Sequence, residues 1–276
     1  MMDIVSYPTV SVIVSCYNYE EFISSCIDSV LNQTYKDFEI IIVNDGSTDN
    51  SEDQILYYAE QYRNIKYIYQ KNSGQAHAKN VGIKNASGDY IAFLDADDSW
   101  HKEKLEKQIP LFSDEKVGVV YSKTLYMNEE GENVNFELKD KYLQPQRGNV
   151  TDHLIFNNFV PFSSSIVRKE CFEAFGVFND KYKMGIDWDL WLRISQGYEF
   201  DYVNENLLYY RIGHSNQMSK NIERRHKDTD QILSNFINDN TAKLKKSKIR
   251  EAYAYTNRNR GYYYVGKNNQ TAARYY

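Results

Sequence analysis

Residues 10–98 repeat one pattern, in which a short apolar run rich in β-branched residues gives way to a polar loop and then to a stretch with helical periodicity. The runs, each mostly apolar and β-favouring, are residues 10–14 (Val-Ser-Val-Ile-Val), 38–43, 65–69 and 90–94. Strands that alternate with helices at this spacing form βαβ units, and the crossovers force the strands to pair in parallel. The spacing therefore predicts an α/β chain with a mainly parallel central sheet flanked by helices. Ligands of such sheets bind beyond the carboxyl ends of the strands. The loops at residues 15–18, 44–49 and 95–98 all follow strands, so they are expected on one rim.

The last of these loops carries the densest chemistry. Residues 90–94 are all aromatic, aliphatic or alanine, as in a strand covered on both faces, and Asp95, Asp97 and Asp98 follow at once. Three carboxylates so placed repel one another unless a positive group lies among them. A hard divalent cation satisfies this, because it takes oxygen ligands and needs only one or two protein carboxylates when a bound phosphate supplies others. The competing reading is a solvated turn whose aspartates cap a helix.

In the remainder of the chain, Asn18 with Glu21 has the spacing of a capping box and predicts a helix starting there. Helices are expected near residues 51–62, 102–112 and 169–175. Strands are expected at 117–121 and 163–167, with a hairpin turn at Glu129-Glu130-Gly131. Residues 185–194 (Gly-Ile-Asp-Trp-Asp-Leu-Trp-Leu-Arg-Ile) open another helix, with Asp187 or Asp189 as its cap and Leu190, Trp191 and Ile194 on its buried side. Beyond Ser219 two helices are expected, near residues 221–238 and 241–267. This divides the chain into a body at 1–215 and a helical C-terminal extension at 216–276. One helical pair cannot bury its own apolar face, so it must pack on the body or belong to a longer array.

Bulk composition narrows the class. With 42% hydrophobic and 26% charged residues the 276-residue chain can build a large core, and its net charge of -5 argues against a nucleic-acid binder. The charge is uneven, since residues 220–260 hold 11 Lys and Arg against 5 Asp and Glu. A basic tail on an acidic body suggests an anionic surface, or simply a solvated helical face. Cys16, Cys26 and Cys171 lack C-x-x-C spacing and are odd in number, which fits buried thiols in a reducing compartment. No apolar run reaches the length of a membrane span and no signal pattern opens the chain, so the expected location is cytoplasmic.

Five segments taken in order, Ser11-Val-Ile-Val-Ser-Cys-Tyr-Asn18, Val43-Asn-Asp-Gly-Ser-Thr-Asp49, residues 74–82, Leu94-Asp-Ala-Asp-Asp98 and Asp187-Trp-Asp-Leu-Trp-Leu-Arg193, resemble the family 2 inverting glycosyltransferases, which have the Rossmann-like GT-A fold. The resemblance covers about residues 8–215. It implies a nucleotide-sugar donor, with Ser15 and Tyr17 beside the base and Asp45 accepting the imide N–H of uracil. Lys79 would stand near base and phosphate, where the family commonly has arginine. Asp95 would hold the ribose next to Ala96, and Asp97 would bind Mn²⁺ or Mg²⁺ bridging the phosphates. Asp98 would be a second metal contact or a helix cap, and His214 a further metal ligand. Asp187 would be the general base. The family often has Glu-Asp at this place, and here Ile186 replaces the glutamate, so the base survives and an accessory carboxylate is lost; Asp98 and Asp189 are the candidate accessory residues. The implied acceptor is a glycan or lipid-linked glycan in bacterial surface polysaccharide assembly, with the basic tail at the inner face of the plasma membrane.

Other classes fit the residues less well. Asp95-Ala96-Asp97-Asp98-Ser99 loosely matches the D-x-D-x-S nucleophile motif of a phosphatase, but three βα elements precede it. A dinucleotide dehydrogenase lacks its G-x-G-x-x-G, since no glycine occurs before Gly46. A nucleotidyltransferase would need a glycine-rich N-terminal loop. An EF-hand fails because Trp100 takes the glycine position. A sugar-nucleotide-binding module without turnover is the non-enzymatic alternative.

Overall fold

The computed structural model describes residues 10–135, 140–215, 217, 221–267 and 269. Its centre is strand β1 (Val10–Cys16), which pairs in parallel with β2 (Phe38–Asn44) on one side and β4 (Tyr90–Asp95) on the other. Strand β3 (Ile65–Tyr69) extends β2, again in parallel. All seven residues of β2 are buried, which is why Ile40 to Val43 are four consecutive apolar residues and do not alternate with polar ones.

Alternate residues of these strands feed two cores. Val10, Val12 and Val14 pack with Ile23 and Ile27 of α1 (Ile23–Leu31) and Ile55 of α2 (Ser51–Gln61). Ile13, Ile41 and Phe93 face the opposite side, under α3 (Gln75–Asn85). Helix α3 lies so close to the sheet that a Cβ on Gly82 would meet Ile13 Cγ2 at 2.5 Å.

Beyond β4 the sheet becomes mixed. Among the described residues the strand order is β3-β2-β1-β4, then β8 (Ile166–Arg168), β6 (Val117–Met127), β9 (Glu199–Arg211) and β5 (Ser99–Trp100). Strand β8 is antiparallel to both β4 and β6. Strand β9 runs parallel to β6 and antiparallel to the short β5. Strand β7 (Asn133–Val134) forms the expected hairpin with β6. Helices α4 (Lys104–Gln108), α5 (Thr151–Leu154), α6 (Glu170–Phe175) and α7 (Ile186–Ile194) cover this half. The helix expected over 102–112 is split, because Pro110 lacks an N–H and the chain tightens into a 3₁₀ turn at Ile109–Ser113.

Two long helices complete the chain, α8 (Ile222–Asn240) and α9 (Lys246–Gly266). Ile232, Leu233, Phe236 and Ile237 of α8, with Ala252 and Tyr255 of α9, share one core with Trp188 and Trp191 of α7. The extension thus buries its apolar face on the body. None of the helices among the described residues is long and apolar enough to cross a membrane.

The expected start of α1 is displaced. Asn18 sits at φ 60°, and its side chain accepts from Thr48 N at 2.7 Å in place of capping α1, which begins only at Ile23.

Candidate active site

The carboxyl ends of β1, β2 and β4 open onto a cavity of about 920 Å³. Eight of the eleven candidate residues line it, namely Ser15, Tyr17, Asp45, Lys79, Asp95, Ala96, Asp97 and Asp187. Asp98, His214 and Asp189 do not.

One wall is a pair of loops locked together. Asn18 N donates to Ser47 Oγ at 3.0 Å, Tyr19 N to Ser51 Oγ at 2.9 Å and Glu20 N to Asp49 at 3.0 Å. Asp45 is buried, and its Oδ1 accepts from Gln70 Nε2 and Ser73 N at 2.7 Å each. Its Oδ2 accepts from Gly74 N at 2.9 Å. Asp45 therefore organises the loop that leads into α3, a task its sequence neighbourhood does not reveal. Gly46, at φ 73°, is needed beside it, since a Cβ there would lie 2.8 Å from Asn72 N.

The acidic loop is arranged asymmetrically. Lys79, buried on α3, reaches Asp95 Oδ1 at 3.0 Å and Gln75 Oε1 at 3.2 Å. Asp97 Oδ2 lies 2.9 Å from His214 Nε2, and the imidazole is enclosed by the Tyr19 and Phe22 rings. Asp98 is 1% exposed and accepts from Arg211 N at 2.9 Å. Burial, then the charges of Asp97 and Asp95, push its carboxyl well above the usual range. It fastens the loop to the end of β9 and is turned away from the cavity.

Asp187 enters from the opposite side, in the first turn of α7. The expected cap is corrected here: Gly185 in the left-handed region is the N-cap, and neither aspartate caps the helix. Asp187 Oδ2 accepts from Asn158 Nδ2 at 2.7 Å. Burial raises its carboxyl above the ordinary value, Asp95 adds to this, and the helix-start amides and Asn158 oppose it. Asp189 is not brought to the cavity. It holds Arg193 at 2.7 Å, and Arg193 in turn donates to the carbonyls of Phe175 and Val177, which close the loop after α6. Trp188 is a packing residue whose Nε1 donates to Leu154 O at 2.7 Å.

Three residues escaped the sequence reading. Arg211 donates to the carbonyls of Asp97, Asn128 and Glu129, tying the acidic loop to the β6–β7 hairpin. Asn158 contacts Asp187 from an irregular segment without pattern. Arg225, on α8, lines the cavity from the C-terminal extension. The uneven charge of the tail was the one signal that pointed toward it.

The model of glycosyl transferase family 2 matches residues 11–174, more than half of the chain. The chain belongs to that family. This glycosyltransferase is 31% identical over 216 residues to a Bacillus subtilis (strain 168) protein named as the teichuronic acid biosynthesis glycosyltransferase TuaG, covering 78% of this chain and 82% of that one. It is 30% identical over 238 residues to a glycosyltransferase of Rickettsia felis, covering 85% of this chain but 39% of the relative's length. Among solved structures it resembles the mannosyltransferase PcManGT of Pyrobaculum calidifontis with GDP-Man and Mn²⁺, at TM-score 0.73, 20% identity and coverage of 98% and 74%. Residues 1–349 of S. aureus TarS with UDP-GlcNAc give TM-score 0.66, 20% identity and coverage of 96% and 89%. These likenesses establish the GT-A fold.

Proposed function

We propose that this glycosyltransferase moves a sugar from a UDP-sugar to a hydroxyl of a growing surface glycan, with a divalent cation on the diphosphate and inversion at the anomeric carbon. The observation that carries this reading is the placement of Asp187, a lone carboxylate with a raised pKa, in the same cavity as the rim of Asp45, Lys79, Asp95 and Asp97.

An acceptor hydroxyl is a weak nucleophile near neutral pH, and a positioned carboxylate that takes its proton contributes about 10²–10⁴-fold. Asp187 is that base. Ser15 and Tyr17 flank the nucleotide base and Ala96 leaves room beside it. Lys79 steadies Asp95, which receives the ribose. Asp45 spends three acceptor sites on the loop that leads into α3, and a carboxylate has about four, so one on Oδ2 remains for an imide N–H.

The residues present fit a cation shared with substrate. Asp95 and Asp97 line the cavity beside Asp98, whose carboxyl is raised by burial and then by their charges, yet among the described residues no group of three or more His, Cys, Asp and Glu forms a cage on its own. Asp97, with His214 behind it, would hold Mn²⁺ or Mg²⁺, and the diphosphate oxygens would complete the shell. When bound, the ion supplies charge compensation for the departing diphosphate. The TarS complex with UDP-GlcNAc supports a UDP donor on this fold, and the PcManGT complex supports the metal.

The test is calorimetric titration of UDP, GDP and dTDP with and without Mn²⁺, on the parent chain and Asp97→Ala. UDP binding that requires Mn²⁺ and is lost in Asp97→Ala is expected. Preference for GDP or dTDP would overturn the donor, and metal-independent binding would overturn the role of Asp97. For the basic tail we propose a cytoplasmic, peripheral position on anionic lipid, worth roughly 1 kcal/mol per nearby charge. Arg224, Lys248 and Arg260 are already paired with Asp228, Glu251 and Asp230, so the attraction rests on the other cations. Vesicles of phosphatidylserine and phosphatidylcholine should sediment the chain, and Gln substitutions at Lys243, Lys245 and Lys246 should weaken this.

A further inference from the structure

A hydrogen-bonded chain runs from the C-terminal helix to Asp187. Asn158 Nδ2 donates to Asp187 Oδ2 at 2.7 Å, and Asn158 Oδ1 accepts from Val160 N at 3.2 Å. The second bond fixes the amide, because a flip would set oxygen against carboxylate and NH₂ against N–H. Asn158 N donates to Asn157 Oδ1 at 2.9 Å, which orients the neighbouring amide. Asn157 Nδ2 donates to Tyr255 Oη at 2.9 Å, and Tyr255 donates its own proton to Asp140. Each group uses a donor or acceptor it has, and none is used twice. Tyr255 is 7% exposed, with its ring against Tyr142 and Phe156. Burial and the Asp140 carboxylate push its hydroxyl up to about 12, so it stays a donor.

We infer that Asn158 is a positioning residue for Asp187, and that α9, through Tyr255 and Asn157, sets the orientation in which Asn158 meets it. The inference rests on reading Asp187 as the base. It gives the C-terminal extension a part in catalysis without contact with substrate. The charged groups that share the cavity with Asp187 are Asp45, Lys79, Asp95, Asp97 and Arg225. Among them Asp95 is the one whose charge raises Asp187. The Asn158 N–H bond favours the charged carboxylate, so its loss must raise the Asp187 pKa.

The experiment labels aspartate with ¹³Cγ in the full chain and titrates it by NMR, with the Asp187 signal assigned by its absence in Asp187→Asn. Asn158→Ala is expected to raise the Asp187 midpoint by about one unit. Tyr255→Phe keeps the ring packing and is expected to raise it in the same direction by less. UDP release from UDP-GlcNAc with Mn²⁺ is followed in parallel across pH, and its acid limb should move with the midpoint. Unmoved midpoints in both variants overturn the inference. A shift in Asn158→Ala alone overturns the part given to α9. Undiminished UDP release in Asp187→Asn would overturn the base reading and leave the measured coupling standing.

Discussion

Replacing Asp45 by Asn separates the carboxylate's structural task from any contact with nucleotide. In the folded chain its two oxygens accept from Gln70 Nε2, Ser73 N and Gly74 N. An Asn side chain does best by keeping its oxygen on Gln70 and Ser73, which turns its NH₂ against the Gly74 N–H. Two charge-assisted bonds then become neutral ones, at a cost of about 1 kcal/mol each, and one part-buried N–H is left unsatisfied, at about 1–3 kcal/mol. Relaxation of the loop recovers some of this, so a net loss of about 2–4 kcal/mol is expected, a large share of a typical domain's stability of about 5–15 kcal/mol. The assay is urea unfolding without nucleotide, followed by the fluorescence of Trp100, Trp188 and Trp191. A variant within about 0.5 kcal/mol of the parent would refute the role of Asp45 in holding residues 70–74, and would leave the base contact as its sole task.

Asp187→Asn should leave UDP binding within twofold and lower transfer by about 10²–10⁴-fold, as measured by calorimetry and UDP release on the same sample. At the other end of the sheet, burial works to raise the Glu39 carboxyl, but Lys66 together with Ser11 and Ser87 more than offsets this and holds it down to about 2. A depressed carboxyl contributes stability above its unfolded value of about 4.3 that is lost as pH falls toward 2. Urea midpoints measured from pH 6 to pH 2.5 should fall less steeply in Glu39→Gln than in the parent.

The half of the molecule that holds the parallel strands was legible because it is local. Each strand there is a short run rich in β-branched and aromatic residues, each loop follows it directly, and residues 65–69 were placed with the bounds of β3. The roles within that half were less legible, since Asn18 and Glu21 have capping spacing while Asn18 is engaged by a loop thirty residues away. Asp98 and Asp189 share composition with Asp97 and Asp187, and only the fold shows that Arg211 and Arg193 claim them. Strand β9 was missed because its alternation stops after Tyr202, where Asn204-Glu205-Asn206 interrupts it, and because it is stabilised by β6, some eighty residues earlier in the chain. The Asn157–Asn158 pair has no spacing rule at all, and its meaning comes from Tyr255, near the other end of the sequence.

The order of strands also governs how the protein must emerge during synthesis. Strands β1 to β4 can assemble from the first hundred residues, yet one edge of β4 is covered only when Ile166 reaches Ala92 and Arg168 reaches Tyr90. Until then a strand built for burial on both faces presents a row of unpaired N–H and C=O groups. A nascent or truncated product that stops short of β8 carries an adhesive seam of its own making, and should be recovered as aggregate or in the grip of a chaperone.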